Sequence, residues 1–358
     1  MSQVIQRLRK LLREEELEGF IHYQTNKARE FVTLRYLSGV GGLEDSGILI
    51  PTDDDPVLFV KDFEGGRARY SSFIKDVRVA KTIPIDNALK FLASLIEEKG
   101  LKHKKIGIDD SELTVEIYSR LKRLDITPVA FGEEIRKLRM VKTREELKNI
   151  RKAVNITENA ILKINDMLGS GMTESELAAE ASFTMEKFGA EKSFVHVQYE
   201  SNASVPHHVS DSTVVKGDGL LVIDIGARVE GYTRDITRTL EVGKIDEKRR
   251  RIKDTVKSSL DASLTMVRHG MPVSAVARAA RDVIRQKNLP EPQHRIGHGI
   301  GLSVHEAPII ETEFEYKLQE GMVLAIEPGI YIPGKTGCRI ESNVVVKREG
   351  YERLDANT

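Results

Sequence analysis

A single cysteine, Cys338, rules out an intrachain disulfide. Net charge is also missing, because 55 basic residues balance 55 acidic ones. That balance offers no electrostatic attraction for nucleic acid or an anionic membrane. No apolar run approaches the ~20 residues of a membrane span. The first ten residues, MSQVIQRLRK, alternate apolar and charged positions where a secretory signal would be uninterruptedly apolar. The expectation is a cytoplasmic protein. Tryptophan is absent while Glu, Lys and Arg abound, the composition of many heat-adapted proteins. What remains is an ordinary globular chain of 358 residues, 40% hydrophobic and 31% charged, long enough for two or three domains.

The first half alternates helices and strands. Val4, Ile5, Leu8, Leu11 and Leu12 share one face of a helix over 4–16, and a strand follows from Phe20 to Tyr23. Two apolar strands flank Thr52-Asp-Asp-Asp, which reads as a solvated hairpin turn because no His or Glu stands beside it to complete a metal site. Helices over 86–98 and 112–123 alternate with strands from Lys105 and from Ile126. Thr143 and Glu146 have capping-box spacing at the head of a long helix over 143–168. The expected domains are therefore 1–135, mixed α/β, and 136–358, in an α+β chain. The basic run at 248–253 reads as the solvated face of a helix.

Two apolar segments in the second half carry acids. Val222-Ile-Asp-Ile-Gly-Ala and Arg234-Asp-Ile-Thr-Arg-Thr are joined by a short turn. A turn centred between Val229 and Glu230 sets Asp224 opposite Asp235, with their Cβ atoms ~5 Å apart on one face. Further on, Glu327 and Glu341 lie equally far from Gly334 and oppose each other in a second hairpin. Facing carboxylates repel, and a cation between them removes the penalty. His298 stands between Gly297 and Gly299, which allow close backbone approach. Those glycines also argue against a helix, so His294 reads as a supporting residue despite its i,i+4 spacing from His298. Four carboxylates and one imidazole, without thiolate, suit two ions of Mn²⁺, Co²⁺ or Fe²⁺ better than a structural zinc. Such ions lower the pKa of bound water to as little as ~7.

These motifs, together with Gly297-His-Gly-Ile-Gly-Leu, His305-Glu-Ala-Pro, Ile326-Glu-Pro-Gly-Ile-Tyr and Arg339-Ile-Glu, resemble the dinuclear metallopeptidases of the pita-bread fold. The match is nearest to the proline-specific branch, Xaa-Pro dipeptidase (prolidase) and Xaa-Pro aminopeptidase (aminopeptidase P). Leu34-Arg-Tyr-Leu-Ser-Gly resembles the creatinase-type N-terminal domain of that branch. The resemblance implies that Asp224 is a terminal ligand of one metal, His298 and Glu327 are terminal ligands of the other, and Asp235 and Glu341 bridge both. It also implies that His207, in Val205-Pro-His-His, lines the pocket beside the scissile bond and that His305 binds the substrate carbonyl. Glu327 would move the proton. Arg339 would support Glu341, meet the far end of the substrate, or form an ordinary strand salt bridge. The implied cofactors are two divalent ions, Mn²⁺ or Co²⁺, the substrates are proline-containing peptides, and the assembly is a homodimer.

Two positions depart from the family pattern. Glu200 replaces a usual glycine, which would reshape the pocket edge or engage a substrate amine. Ile309 stands where several dipeptidases carry the Arg that meets a dipeptide carboxylate, which leaves the Xaa-Pro aminopeptidase reading open. Methionine aminopeptidase shares the ligands but lacks the N-terminal domain, and creatinase uses no metal. A non-catalytic peptide-binding relative would have lost ligands, and none is lost here.

Overall fold

The computed structural model describes residues 2–25, 32–81 and 85–355. It contains two compact units, Met1–Arg139 and Met140–Thr358. In the first unit, strands β1 (Gly19–Gln24), β2 (Ser46–Pro51), β3 (Val57–Val60), β4 (Asp76–Val79), β5 (Lys105–Ile108) and β6 (Thr127–Ala130) form one sheet in the order β4-β3-β2-β1-β5-β6. The β1–β2 and β2–β3 pairs are antiparallel, and the β3–β4, β1–β5 and β5–β6 pairs are parallel. The helix Gln3–Glu14 buries Val4, Ile5, Leu8 and Leu12 as its periodicity requires, while Leu11 is half-buried. Helices Ile85–Glu98 and Val115–Leu121 pack Leu89, Leu92, Ile96, Ile117 and Leu121 against the sheet's Ile21, Leu49, Phe59 and Ile106. The acidic turn at 53–55 is solvated: Asp53 meets Arg13 and Asp54 meets Lys99.

The second unit opens with the helix Arg144–Met167, whose Thr143–Glu146 capping box is formed in both directions. Its first sheet holds β7 (Lys192–Tyr199), β8 (Gly219–Val229), β9 (Tyr232–Thr233) and β10 (Ile236–Val242). Alternate residues of β8, from Leu221 to Val229, pack on Arg144–Met167 and Glu174–Lys187 through Ala153, Ala160, Leu177 and Ala181. By the two-residue period of a strand, Val222, Asp224 and Gly226 therefore occupy the opposite face.

The second sheet runs β12 (Glu306–Ile310), β11 (Gly297–Gly299), β13 (Val323–Ile326), β16 (Ser342–Val346), β17 (Tyr351–Arg353) in spatial order, beside a two-stranded β14 (Gly329–Ile332) and β15 (Thr336–Arg339). Helices Glu247–Thr265 and Val273–Gln286 cover it through Leu260, Leu264, Val276 and Ala280 against Ile296, Leu324, Ile326 and Val344. The basic run at 248–253 begins the first of these two helices with Lys248, Arg250 and Arg251 exposed. The two sheets are joined beside β10. The Glu341 amide donates to Thr237 O at 3.1 Å, and Thr239 Oγ1 donates to Arg339 O at 2.7 Å.

Candidate metal centre

The second hairpin has the register expected for it: Val323 pairs with Val345, Ile326 with Ser342 and Gly329 with Arg339. Glu327 and Glu341 lie at corresponding points between those pairs. The first hairpin differs by one residue on each strand. Its turn is Glu230-Gly231, both at positive φ (50° and 80°), the two-residue geometry that matches strand twist. Asp224 therefore opposes Thr237, and Asp235 sits one step diagonally, between β9 and β10. The two acids nevertheless converge, because a shift of one residue on both strands preserves the face each presents.

Asp224, Asp235 and Glu341 bring carboxylate oxygens within 4.8 Å of one another. Asp235, His298 and His305 form a second such group, sharing Asp235. His298 Nε2 lies 3.4 Å from Glu327 Oε1 and 3.7 Å from Asp235 Oδ2, and His305 Nε2 lies 3.8 Å from the same Asp235 oxygen. The glycines around His298 are required. A Cβ on Gly297 would lie 2.2 Å from Ala325 O, and one on Gly299 would lie 2.1 Å from Ala307 O, because β11 is clamped between β13 and β12. His298 Nδ1 is 3.0 Å from Gly299 O, whereas its buried Nε2 has no hydrogen-bond partner among the described residues.

The electrostatics fit a cationic occupant. Burial, and then the charges of neighbouring carboxylates, hold Asp235 and Glu341 well above the usual carboxylate range. Burial works against charging His298 and Glu327 too, but their mutual attraction prevails. His298 is shifted up and Glu327 down, as in an ion pair. Divalent ions would take over the role of these protons. An oxygen-rich set with one orphaned imidazole nitrogen suits such ions.

With chelator present, Asp235, Glu341 and His298 all bind protons more tightly folded than unfolded. Their stabilisation is complete below the unfolded pKa values and is lost as pH rises through the folded ones. Glu327 contributes in the opposite sense, but only at acid pH. Metal-free stability should therefore fall as pH rises above the ordinary carboxylate range. Saturating Mn²⁺ should flatten the trend. Differential scanning calorimetry above that range checks this, and a metal-free Tm that rises with pH would count against the cluster.

Arg339 corrects an expectation. Its guanidinium, 3% exposed, faces Asp224 (Oδ2 at 2.7 Å) rather than Glu341. It also donates to Thr237 Oγ1, Tyr331 OH and Pro206 O. A group so enclosed and so fully engaged is a support for Asp224, not a hand for the substrate. Glu341 is instead held by Asn343 Nδ2 at 3.1 Å and Thr237 Oγ1 at 3.2 Å. Sequence reasoning passed over both residues, although each stands two positions beyond a candidate ligand and so shares its strand face. Tyr331 was also missed. Its hydroxyl links Arg339 to His294 Nε2 at 2.8 Å, which gives His294 the supporting role expected of it.

Glu200 supplies a second correction. Its φ of 50° explains why glycine suits the position. Its carboxylate accepts from the Leu220 amide at 2.6 Å and pairs with Arg249, so it is not available to a substrate amine. His207 and His305 are exposed, and partial enclosure of its ring, then the neighbouring His298, holds His305 below its ordinary pKa. Ile309 lies opposite His298 across β11–β12. Another residue without an expected role is Glu306, next to His305. It forms a buried pair with Lys142 at 2.6 Å, their side chains 8% and 1% exposed.

The two-domain fold and buried acid–histidine cluster are those of a metallopeptidase, and the chain belongs to metallopeptidase family M24, whose model matches residues 148–348. A creatinase/prolidase N-terminal domain model matches residues 5–141. The chain is 33% identical over 327 residues to an Xaa-Pro dipeptidase of Pyrococcus furiosus, covering 90% of each. Its fold is similar to that of an X-Pro aminopeptidase from Thermotoga maritima (TM-score 0.89, 30% identity, 99% and 98% of the two chains covered). It is also similar to a prolidase from Pyrococcus furiosus (TM-score 0.84, 30% identity, 98% and 99% covered).

Proposed function

We propose that this metallopeptidase hydrolyses the peptide bond preceding proline in Xaa-Pro dipeptides. The observation that carries the reading is the convergence of two acid-bearing hairpins and His298 beside the exposed His305, with Pro206, the chain neighbour of the exposed His207, accepting from Arg339. Asp224, Asp235, His298, Glu327 and Glu341 would hold two divalent cations, Mn²⁺ or Co²⁺ by their oxygen-rich chemistry. When bound, the cations supply Lewis acidity and a water nucleophile at neutral pH. Glu327, shifted towards its charged form, takes the proton from the attacking water and passes it to the leaving proline nitrogen. His305 and His207 donate to the carbonyl oxygen as negative charge develops, and the loss of either donor costs on the order of 10²–10³ in turnover. Arg339 and Tyr331 keep Asp224 oriented.

A second reading, an Xaa-Pro aminopeptidase acting on longer peptides, is favoured by one observation. Ile309 gives no cation beside His298 for a dipeptide carboxylate, and Arg339 is already committed. Hydrolysis of Xaa-Pro and Xaa-Pro-Yaa by the Mn²⁺- or Co²⁺-loaded protein separates the two. Turnover of Met-Ala-type peptides alone would overturn both. The same reading includes a homodimer in the cytoplasm, which sedimentation and fractionation test. No helix among the described residues is long and apolar enough to cross a membrane.

A further inference from the structure

Strand β7 pairs with β8 so that Gln198 opposes Val222, which shares a strand face with Asp224. Opposed residues of an antiparallel pair project to the same side, so the Gln198 side chain leaves the sheet on the side that bears Asp224. It is fully enclosed. What it meets there is the segment carrying His207. The His208 amide donates to Val205 O at 3.0 Å and closes a four-residue turn with Pro206 and His207 at its centre. Gln198 Nε2 donates to His208 O at 2.8 Å and, less closely, to Pro206 O and Val205 O at 3.3 and 3.4 Å.

One amide thus grips carbonyls on both sides of His207, while the imidazole itself stays exposed. The Gln198 Oε1 atom is enclosed without a hydrogen-bond partner among the described residues. An acceptor left in that state is unfavourable. The opposite rotation of the amide would be worse, because it would set this oxygen against the carbonyl oxygens of the turn. The ends of the segment are tied down separately: Glu174, wholly buried, accepts from Asn202 Nδ2 at 3.1 Å and from the Asp211 amide at 3.2 Å. At the centre, Arg339 reaches Pro206 O at 3.2 Å with the same guanidinium that holds Asp224. Gln198 and Arg339 therefore both fix the turn to the Asp224 side. Of the two, only Gln198 directs its side-chain hydrogen bonds, among the described residues, to the turn alone.

We infer that Gln198 is a positioning residue: it sets the turn, and through the turn the imidazole of His207, against the candidate metal centre. This rests on the proline-peptidase reading above, in which His207 donates to the substrate carbonyl. A displacement of about 1 Å in such a group can cost about 10² in rate, and Arg339 keeps part of the restraint. In the Mn²⁺-loaded protein, Gln198→Met should therefore lower kcat for Xaa-Pro hydrolysis about tenfold and leave KM within about twofold. Added to His207→Ala, the same change should alter kcat by less than about twofold, because the two act through one group. Metal content should match wild type. Hydrogen exchange over residues 205–209 should quicken in Gln198→Met, with or without metal. If Gln198→Met does not fold, Gln198→Ala carries the same comparison.

Unchanged exchange across the turn overturns the inference. So does loss of a metal equivalent in Gln198→Met, which would place its effect on the cations. Losses that multiply in the double variant overturn it too, since they would show a role independent of His207. A wild type that cleaves no Xaa-Pro peptide, or a fully active His207→Ala, overturns the earlier reading and takes this inference with it. Activity that depends on His207 but not on Gln198 overturns this inference alone.

Discussion

Glu327→Gln should lower kcat for Xaa-Pro hydrolysis by on the order of 10³–10⁴-fold and leave the fold intact. The size follows from the two duties of one side chain. In the proposed mechanism it is general base and acid, worth roughly 10²–10⁴, and a charged ligand that would help hold a cation beside His298, 3.4 Å away. The amide is isosteric but cannot accept the proton, and it weakens one ligand position without creating a cavity. Circular dichroism and thermal unfolding should match wild type, while metal analysis should show weakened occupancy of one site. Activity retained within tenfold would remove Glu327 from the mechanism.

Lys142→Met should destabilise the protein by about 3–5 kcal/mol, because it removes the cation that pairs with the enclosed Glu306 carboxylate. For a unit of this size that is a fall in Tm of roughly 6–20 °C. The double substitution Lys142→Met with Glu306→Leu should recover much of the loss, since the enclosed carboxylate is then removed together with its cation. Urea unfolding of the single and double variants measures this. A single variant as stable as the double would show that the pair is not what holds this corner. Glu306 adjoins His305 in the chain, so the single variant should also lose turnover as His305 drifts from the site.

Much of the centre was legible because hairpins are local. Once a turn is located, pairing follows by counting, and the Gly334 hairpin was located correctly, which sets Glu327 across from Glu341. The Asp224–Asp235 hairpin was displaced by one residue per strand, since nothing in the spacing distinguished a turn at Val229-Glu230 from one at Glu230-Gly231. The left-handed backbone at both Glu230 and Gly231 decided it. The error was harmless because strand faces repeat every two residues.

Glu200 and Arg339 were harder to read, because their partners lie far off in the chain. Arg249 is 49 residues beyond Glu200, and Asp224 is 115 residues before Arg339. A long side chain has many possible partners at such separations, and only tertiary packing chooses among them.

The proposed metal donors and their facing strands thus came from short-range periodicity, turn chemistry and the resemblance of the motifs. Which donor leans on which support came only with folding. Arg339 turned to Asp224, Glu306 to Lys142, Glu200 to Arg249, and Gln198 to the turn that carries His207. Alternation along a strand is an intrinsic property of the backbone and survives in the bare sequence. Contacts between sheets depend on how two independently formed surfaces meet, and no local rule encodes that meeting.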